Sequence, residues 1–292
     1  MSISPNEPIG LIGLGLLGSA IAERLIERQY SVLGFDLDSS RCTHASQRGV
    51  EIVSEASSVF RQCEWILLSL PTSDIVAQVI AEVNNALRPG QIILDTTTGE
   101  PRQMQSLGTE LAQQGVSYLD ASVAGSSALA RRGEVVMLVG GDEEAFHRCS
   151  HLLDALSKHA FHAGESGAGS KLKLVHNLIL GLHRAVLAEG LCFAEKMGLD
   201  SAQVLDILKQ TVAHSRVMDL KGEKMVHREF SPQATVTQHL KDVRLMLAEA
   251  EQIGSQLPLT HLHRQLLEKV ELAGFGDLDN SAIMNAFHQG DE

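Results

Sequence analysis

The 292-residue chain lacks several features that would assign it at once. Its 4 cysteines, Cys42, Cys63, Cys149 and Cys192, form no C-x-x-C pair. Neither a zinc knuckle nor a disulfide framework is indicated, and reduced thiols in a cytoplasmic protein are the simplest expectation. Positive charge is scarce, with 24 Lys and Arg against 36 Asp and Glu for a net charge of −12. A nucleic-acid-binding body would carry a basic face or stripe, so no nucleic-acid partner is expected. The apolar run from Ile9 to Leu17 falls short of the roughly 20 residues that a membrane span needs. No basic segment precedes it, so neither a membrane partner nor a secretory signal is expected. The histidines include no H-E-x-x-H arrangement, and no metal is expected.

What is present is the composition of a folded globular chain, 44% hydrophobic and 21% charged, long enough for two domains. The stretch Ile9-Gly-Leu-Ile-Gly-Leu-Gly-Leu-Leu-Gly18 leads into Ser19 to Arg28, where Ile21, Leu25 and Ile26 recur at helical spacing. That pattern reads as strand, turn, helix. Tyr30 to Asp36, Trp65 to Leu70, Gln91 to Asp95, Ser117 to Asp120 and Glu134 to Val139 repeat the short strand, with helical segments between them. Such alternation predicts βαβ units and a parallel sheet to about residue 165. From Ser170 to Met197 there is no proline, and the apolar spacing predicts one helix of about 28 residues, well above the usual 11 or 12. This helix is expected to join a sheet domain, residues 1–165, to an all-α domain, residues 166–292. Helix breaks are expected near Phe230-Ser-Pro232, Leu257-Pro258 and Gly274-Phe-Gly276.

Gly13-x-Gly15-x-x-Gly18 lies between the first strand and the first helix. There the first glycine allows a tight turn, the second lets backbone approach a pyrophosphate, and the third lets helix and strand pack closely. Amides at the helix start, including Leu16 and Leu17, then face the phosphates. Asp36 follows Gly18 by 18 residues at the end of the second strand, where a carboxylate accepts from a ribose 2′-OH and repels a 2′-phosphate. The fingerprint predicts a Rossmann-type dinucleotide domain that prefers NAD, with Arg41 nearby leaving some room for NADP.

Further motifs run through the chain. Leu70-Pro71-Thr72 and Asp95-Thr-Thr-Thr98-Gly-Glu-Pro101 precede Asp120-Ala-Ser-Val-Ala-Gly125 and Gly140-Gly141. Gly167-Ala-Gly169-Ser-Lys-Leu-Lys173-Leu-Val-His-Asn177, Lys241-Asp242 and Gly274-Phe-Gly-Asp-Leu-Asp279-Asn-Ser281-Ala282 complete the set. In these residues the chain resembles the β-hydroxyacid dehydrogenase family, which includes 3-hydroxyisobutyrate dehydrogenase and tartronate semialdehyde reductase. The resemblance implies an NAD-dependent enzyme that moves a hydride between nicotinamide and a small anionic β-hydroxyacid or its semialdehyde or keto form. It also implies a homodimer or homotetramer.

By the same resemblance, Lys173 is the acid/base, and a lysine with a pKa lowered by desolvation suits that role near neutral pH. Asn177, one helical turn on, shares its face, whereas Lys171 points elsewhere. Leu70, Pro71 and Thr98 correspond to cofactor contacts, and Lys241 to a lysine closing over the cofactor. Ser122, Gly125 and Ser126 form the counterpart of the substrate loop, although Ser122 stands where the family has proline and Ala124 where it has serine. His176 replaces an asparagine. Two rival readings are an imine reductase-like NADP enzyme and a non-catalytic dinucleotide-binding module. Asp36 and Lys173 count against the first, and Lys173 against the second. 6-Phosphogluconate dehydrogenase shares several motifs but has a far larger helical domain.

Overall fold

A computed structural model describes residues 7–287. The chain divides into two compact units, the first ending at Lys173 and the second beginning at Leu174. The first unit is built on a sheet of β1 (Ile9–Ile12), β2 (Val32–Phe35), β3 (Glu51–Ile52), β4 (Trp65–Leu68), β5 (Ile92–Asp95), β6 (Ser117–Ala124), β7 (Val135–Gly140) and β8 (Ser157–Gly164). Their order across the sheet is β3-β2-β1-β4-β5-β6-β7-β8. Between them run α1 (Leu16–Glu27), α2 (Ser39–Ser46), α3 (Ala56–Gln62), α4 (Ser73–Glu82), α5 (Pro101–Ala112), α6 (Ser127–Arg132), α7 (Glu143–Arg148) and α8 (Ser150–Leu156).

The central strands are apolar on both faces because helices cover both. In β4, Trp65 and Leu67 pack into one apolar cluster with Leu25 and Leu152, while Ile66 and Leu68 pack into the other with Phe60 and Met104. Successive side chains of a strand point to opposite faces, so a strand buried on both sides reads as a continuous apolar run.

Two features depart from the expected pattern. β6 and β7 pair antiparallel, with Asp120 opposite Gly140. The link between them holds only the six-residue α6, shorter than the dozen or so residues a parallel crossover needs. β8 was absent from the predicted strands. It is an edge strand, parallel to β7, and its outward positions carry polar residues such as Lys158 and His159, so it lacks an apolar run.

The long helix, α9 (Ala168–Lys196), starts at the end of the first unit and continues into the second. By length and composition it could cross a membrane, yet half of its most apolar window is buried within the chain. Its buried face carries Lys173, Asn177 and Arg184. The second unit adds α10 (Ser201–Leu208), α11 (Arg216–Val226), α12 (Val236–Gln252) and α13 (Pro258–Val270), then short turns through Ala286. Leu191, Leu205, Met225, Leu240, Val243, Leu267 and Ile283 form its core.

Candidate active site

β1 lies between β2 and β4, so the direction of winding reverses there, and such a switch point opens a crevice at the strands' carboxyl ends. Gly13, Asp36, Leu70 and Thr98 all lie just beyond the carboxyl ends of β1, β2, β4 and β5. Gly13 has φ +94°, and a side chain there would meet the Ser69 carbonyl. A methyl on Gly18 would strike the Gly13 carbonyl, so strand and helix touch only because both are glycine. Gly15 is different. The nearest atom to a methyl at Gly15 would be Arg41 Nη1 at 3.8 Å, so its backbone faces open space. α1 begins beside it without a side-chain cap, directing the amides of Leu16, Leu17 and Gly18 at its positive end into that space. A cradle of exposed backbone and uncapped amides fits a pyrophosphate.

Asp36 braces this turn. Its Oδ2 accepts from the Leu14 amide at 2.7 Å and its Oδ1 from the Asp38 amide at 2.8 Å. Arg41 Nη1 stands 3.5 Å from the same Oδ2. The β4 and β5 turns are tied together by Asp95: its Oδ1 accepts from the Thr97 amide, and Thr97 Oγ1 in turn accepts from the Leu70 amide at 3.1 Å. The Tyr118 hydroxyl donates to Asp95 Oδ2 at 2.7 Å. Complete burial pushes the Asp95 carboxyl up to about 6, against these hydrogen bonds. Pro71 is exposed and Thr98 half-buried.

β6 organises the start of α9. Asp120 accepts from the Gly167 amide at 2.8 Å and the Ser170 amide at 2.7 Å, thereby capping the helix. Burial raises the Asp120 pKa, and the two amides oppose the shift. Gly169 has no room for a side chain against the carbonyls of Asp120 and Leu138, which brings the helix onto the sheet. Lys173, only 7% exposed, then reaches back to donate from Nζ to the Val123 carbonyl at 2.5 Å. Lys171 is exposed.

Further along β6, Ser122 is wholly buried, and its hydroxyl finds no partner among the described residues. Gly125 follows the strand, and Ser126 Oγ caps α6 by accepting from the Leu129 amide at 3.4 Å. The Ser126 hydroxyl thus already has a structural role, which leaves the loop backbone as the better anion donor.

In the second unit, Asn177 is buried and donates from Nδ2 to Asp242 Oδ2 at 2.9 Å. Lys241 Nζ lies 3.2 Å from Asp242 Oδ1. His176 is half-buried. Among the described residues no three His, Cys, Asp or Glu side chains gather as a metal site. His147 and His151 stand four apart, a spacing that two metal ligands on a helix could use, but His151 packs edge-on against Trp65 at 5.2 Å.

Sequence reasoning missed the parts played by Asp95, Asp120, the Val123 carbonyl and Asp242. Asp95 and Asp120 each end a predicted strand, and an acid at the end of a buried strand is a usable signal. The Lys173 acceptor is backbone and leaves no trace in side-chain identity.

The sheet order, glycine cradle and buried lysine define a dinucleotide-dependent oxidoreductase architecture. Residues 8–164 match the family described as the NAD binding domain of 6-phosphogluconate dehydrogenase. Residues 167–287 match that described as NAD-binding of NADP-dependent 3-hydroxyisobutyrate dehydrogenase. The 2-(hydroxymethyl)glutarate dehydrogenase of Eubacterium barkeri is 30% identical over 96% of this chain and 95% of its own length. The L-threonate dehydrogenase of Cupriavidus necator is 27% identical over 96% of this chain and 95% of its own. A solved 3-hydroxyisobutyrate dehydrogenase from Salmonella typhimurium superposes with a TM-score of 0.88 at 25% identity, covering 97% of this chain and all of that one. The chain belongs to the β-hydroxyacid dehydrogenase family of NAD(P)-dependent oxidoreductases acting on CH–OH groups.

Proposed function

We propose that the protein transfers a hydride between NAD and a small β-hydroxyacid of the 3-hydroxyisobutyrate kind, or its semialdehyde or keto form, with Lys173 as acid/base. The observation that carries this reading is the buried Lys173 ammonium, pinned to a β6 carbonyl one helical turn before the buried Asn177. Nicotinamide supplies the hydride acceptor or donor when bound. As the free amine Lys173 takes the hydroxyl proton during oxidation, becoming the ammonium, and as the ammonium it gives one to the alkoxide oxygen during reduction. Because the Asn177 amide donates to Asp242, its carbonyl oxygen is left to accept from the substrate hydroxyl or the lysine. The amides at Gly125 and Ser126 take the substrate carboxylate. Relatives named for L-threonate and 2-(hydroxymethyl)glutarate act on molecules that combine an alcohol with a carboxylate, which supports the substrate class.

The preference for NAD rests on Asp36, which would face the adenosine ribose. A specific observation favours NADP as the second reading: Arg41 stands against both Asp36 and Gly15, where a guanidinium would meet a 2′-phosphate. Assembly into a homo-oligomer is supported by large apolar side chains left exposed along α9, among them Val175, Val186 and Phe193.

The test is a panel of 3-hydroxyisobutyrate, glycerate, threonate, 4-hydroxybutyrate and β-hydroxyamino acids, followed by NADH absorbance with NADP run in parallel. Turnover of at least one hydroxyacid is the expected outcome. Tight dinucleotide binding without any turnover would overturn the reading in favour of a binding module.

A further inference from the structure

The second unit encloses a cation. Arg184 on α9 is 4% exposed, and its Nη2 has no hydrogen-bond partner among the described residues. A charge taken out of water needs an opposite charge close by. Burial lowers the Arg184 pKa to about 10, so it is charged at neutral pH, and the carboxylates that oppose the shift are Asp279 and Asp242. Asp279 is committed elsewhere: Lys221 Nζ reaches both of its oxygens at 2.8 Å, and the amides of Gln233 and Ser281 donate to it as well. Asp242, on α12, has capacity to spare. Its Oδ2 accepts from Asn177, but its Oδ1 is buried and accepts no hydrogen bond among the described residues. The Lys241 ammonium stands 3.2 Å from that oxygen. One oxygen of Asp242 thus faces an amide, and cations hold the charge from elsewhere.

What this arrangement fixes is the direction of the Asn177 side chain. A carboxamide has a donor end and an acceptor end of nearly equal size, so its two orientations fill the same space. A carboxylate offers only acceptors. The Asn177 nitrogen must therefore face Asp242 Oδ2, 2.9 Å away, and its oxygen must face the other way. Both residues are buried, Asn177 at 7% and Asp242 at 6% exposure, so bulk water does not compete for the amide.

The cations decide what happens if the carboxylate is lost. An amide at position 242 would turn its oxygen toward Lys241 and Arg184, because an oxygen is favoured beside positive charge and an amide nitrogen is not. Its nitrogen would then face Asn177. To accept from that nitrogen, Asn177 would have to turn over and present its own nitrogen where its oxygen now stands.

We propose that Asp242 is a positioning residue for the reaction, with Arg184 as its buried counter-charge: it sets the Asn177 carboxamide with the oxygen toward the reacting hydroxyl. The role rests on the placement of Asn177 at that hydroxyl given above. Asp242 touches neither substrate nor cofactor in this role and acts only through Asn177.

The test uses the full chain and the variants Asp242→Asn, Asp242→Glu, Arg184→Met, Asn177→Ala and the double variant Asp242→Asn with Asn177→Ala. The first readout needs no turnover. In protein carrying isotopically labelled asparagine, the NMR signal of the Asn177 side-chain amide is the one lost in Asn177→Ala, or in the double variant when Asp242 is already Asn. Asp242→Asn should shift that signal and speed its exchange with solvent about tenfold or more, as a bond to a charged acceptor is lost. Asp242→Glu, which keeps a carboxylate, should stay nearer the wild type, and Arg184→Met should shift the signal by less than Asp242→Asn because Lys241 remains. A signal unmoved in Asp242→Asn would overturn the proposal, and one unmoved in Arg184→Met would overturn the part given to Arg184.

Turnover supplies the second readout. With 3-hydroxyisobutyrate and NAD, Asp242→Asn should lower kcat about 10- to 100-fold, the worth of a hydrogen bond to a charged group. Asp242→Glu should recover part of the loss. In the Asn177→Ala background the same Asp242→Asn change should cost no more than about twofold further, since its effect runs through the missing amide. A full additional loss in the double variant would overturn the proposal and give Asp242 a role independent of Asn177. Absence of wild-type turnover with every hydroxyacid would count against the dehydrogenase reading instead, while the NMR readout still decides whether Asp242 sets the amide.

Discussion

Lys173 and Val123 are joined by a 2.5 Å hydrogen bond from ammonium to backbone carbonyl, across 50 residues of sequence. The bond fixes the lysine at the carboxyl end of β6, immediately before the loop assigned to the substrate carboxylate. A lysine on a helix surface has little reason to be buried unless its charge is met, and here a peptide carbonyl meets it.

Replacing Lys173 with Ala should leave NAD affinity within about twofold and lower kcat by at least the 10²- to 10⁴-fold typical of a lost acid/base. Fluorescence titration of NADH measures the first quantity and stopped-flow absorbance the second. Equal turnover in the variant would remove Lys173 from the chemistry.

Gly15 and Gly18 should respond oppositely to alanine. A methyl on Gly15 meets open space, so Gly15→Ala should keep Tm close to wild type while weakening dinucleotide binding about tenfold or more. A methyl on Gly18 runs into the Gly13 carbonyl, so Gly18→Ala should unfold at markedly lower temperature. Matching losses of stability in the two variants would contradict the cradle.

Asp120→Ala removes the acceptor of two amides at the start of α9. An expected loss of about 3 kcal/mol follows from two buried donors left without partners. Asp120→Asn, which keeps one acceptor, should lose about half of that. Urea unfolding of the three proteins orders them, and a neutral Asp120→Ala would show that the helix needs no cap.

His263 gives the second unit an acid sensitivity of definite sign. Its pKa is about 4 when folded, below the ordinary 6.5, so the unfolded chain binds the proton more readily. Stability is full above about pH 6.5 and falls as pH drops toward 4, by up to about 3 kcal/mol from this group. The difference in unfolding free energy between wild type and His263→Leu, measured at pH 7 and pH 4.5, should shift in favour of the variant at the lower pH.

Cofactor choice should turn on Asp36 and Arg41. Asp36→Ser removes the charge that repels a 2′-phosphate and releases Arg41, so the NADP-to-NAD ratio of kcat/KM should rise at least tenfold. An unchanged ratio would mean that neither residue reads the ribose.

Much of this was legible in the sequence because it depends on neighbours along the chain. Gly13, Gly15 and Gly18 needed only their spacing and an adjoining strand and helix, since a turn is a local object. Strands β4 and β5 announced themselves because burial on both faces favours an unbroken apolar run, Trp65 to Leu68 and Ile92 to Leu94. Lys173 and Asn177 could be placed on one helix face from their four-residue offset.

Tertiary structure decided the rest. β8 lies at a sheet edge, where partial exposure permits a polar sequence that no strand pattern marks. Asp120 became a helix cap and Asp242 the partner of Asn177 through pairings 50 and 65 residues apart, which composition and periodicity do not encode. The sharpest case is Arg184, which in the sequence looks like one more solvent-facing charge on a long helix. Only the packing of α9 against α12 and α13 puts it inside, within electrostatic reach of Asp242 and Asp279.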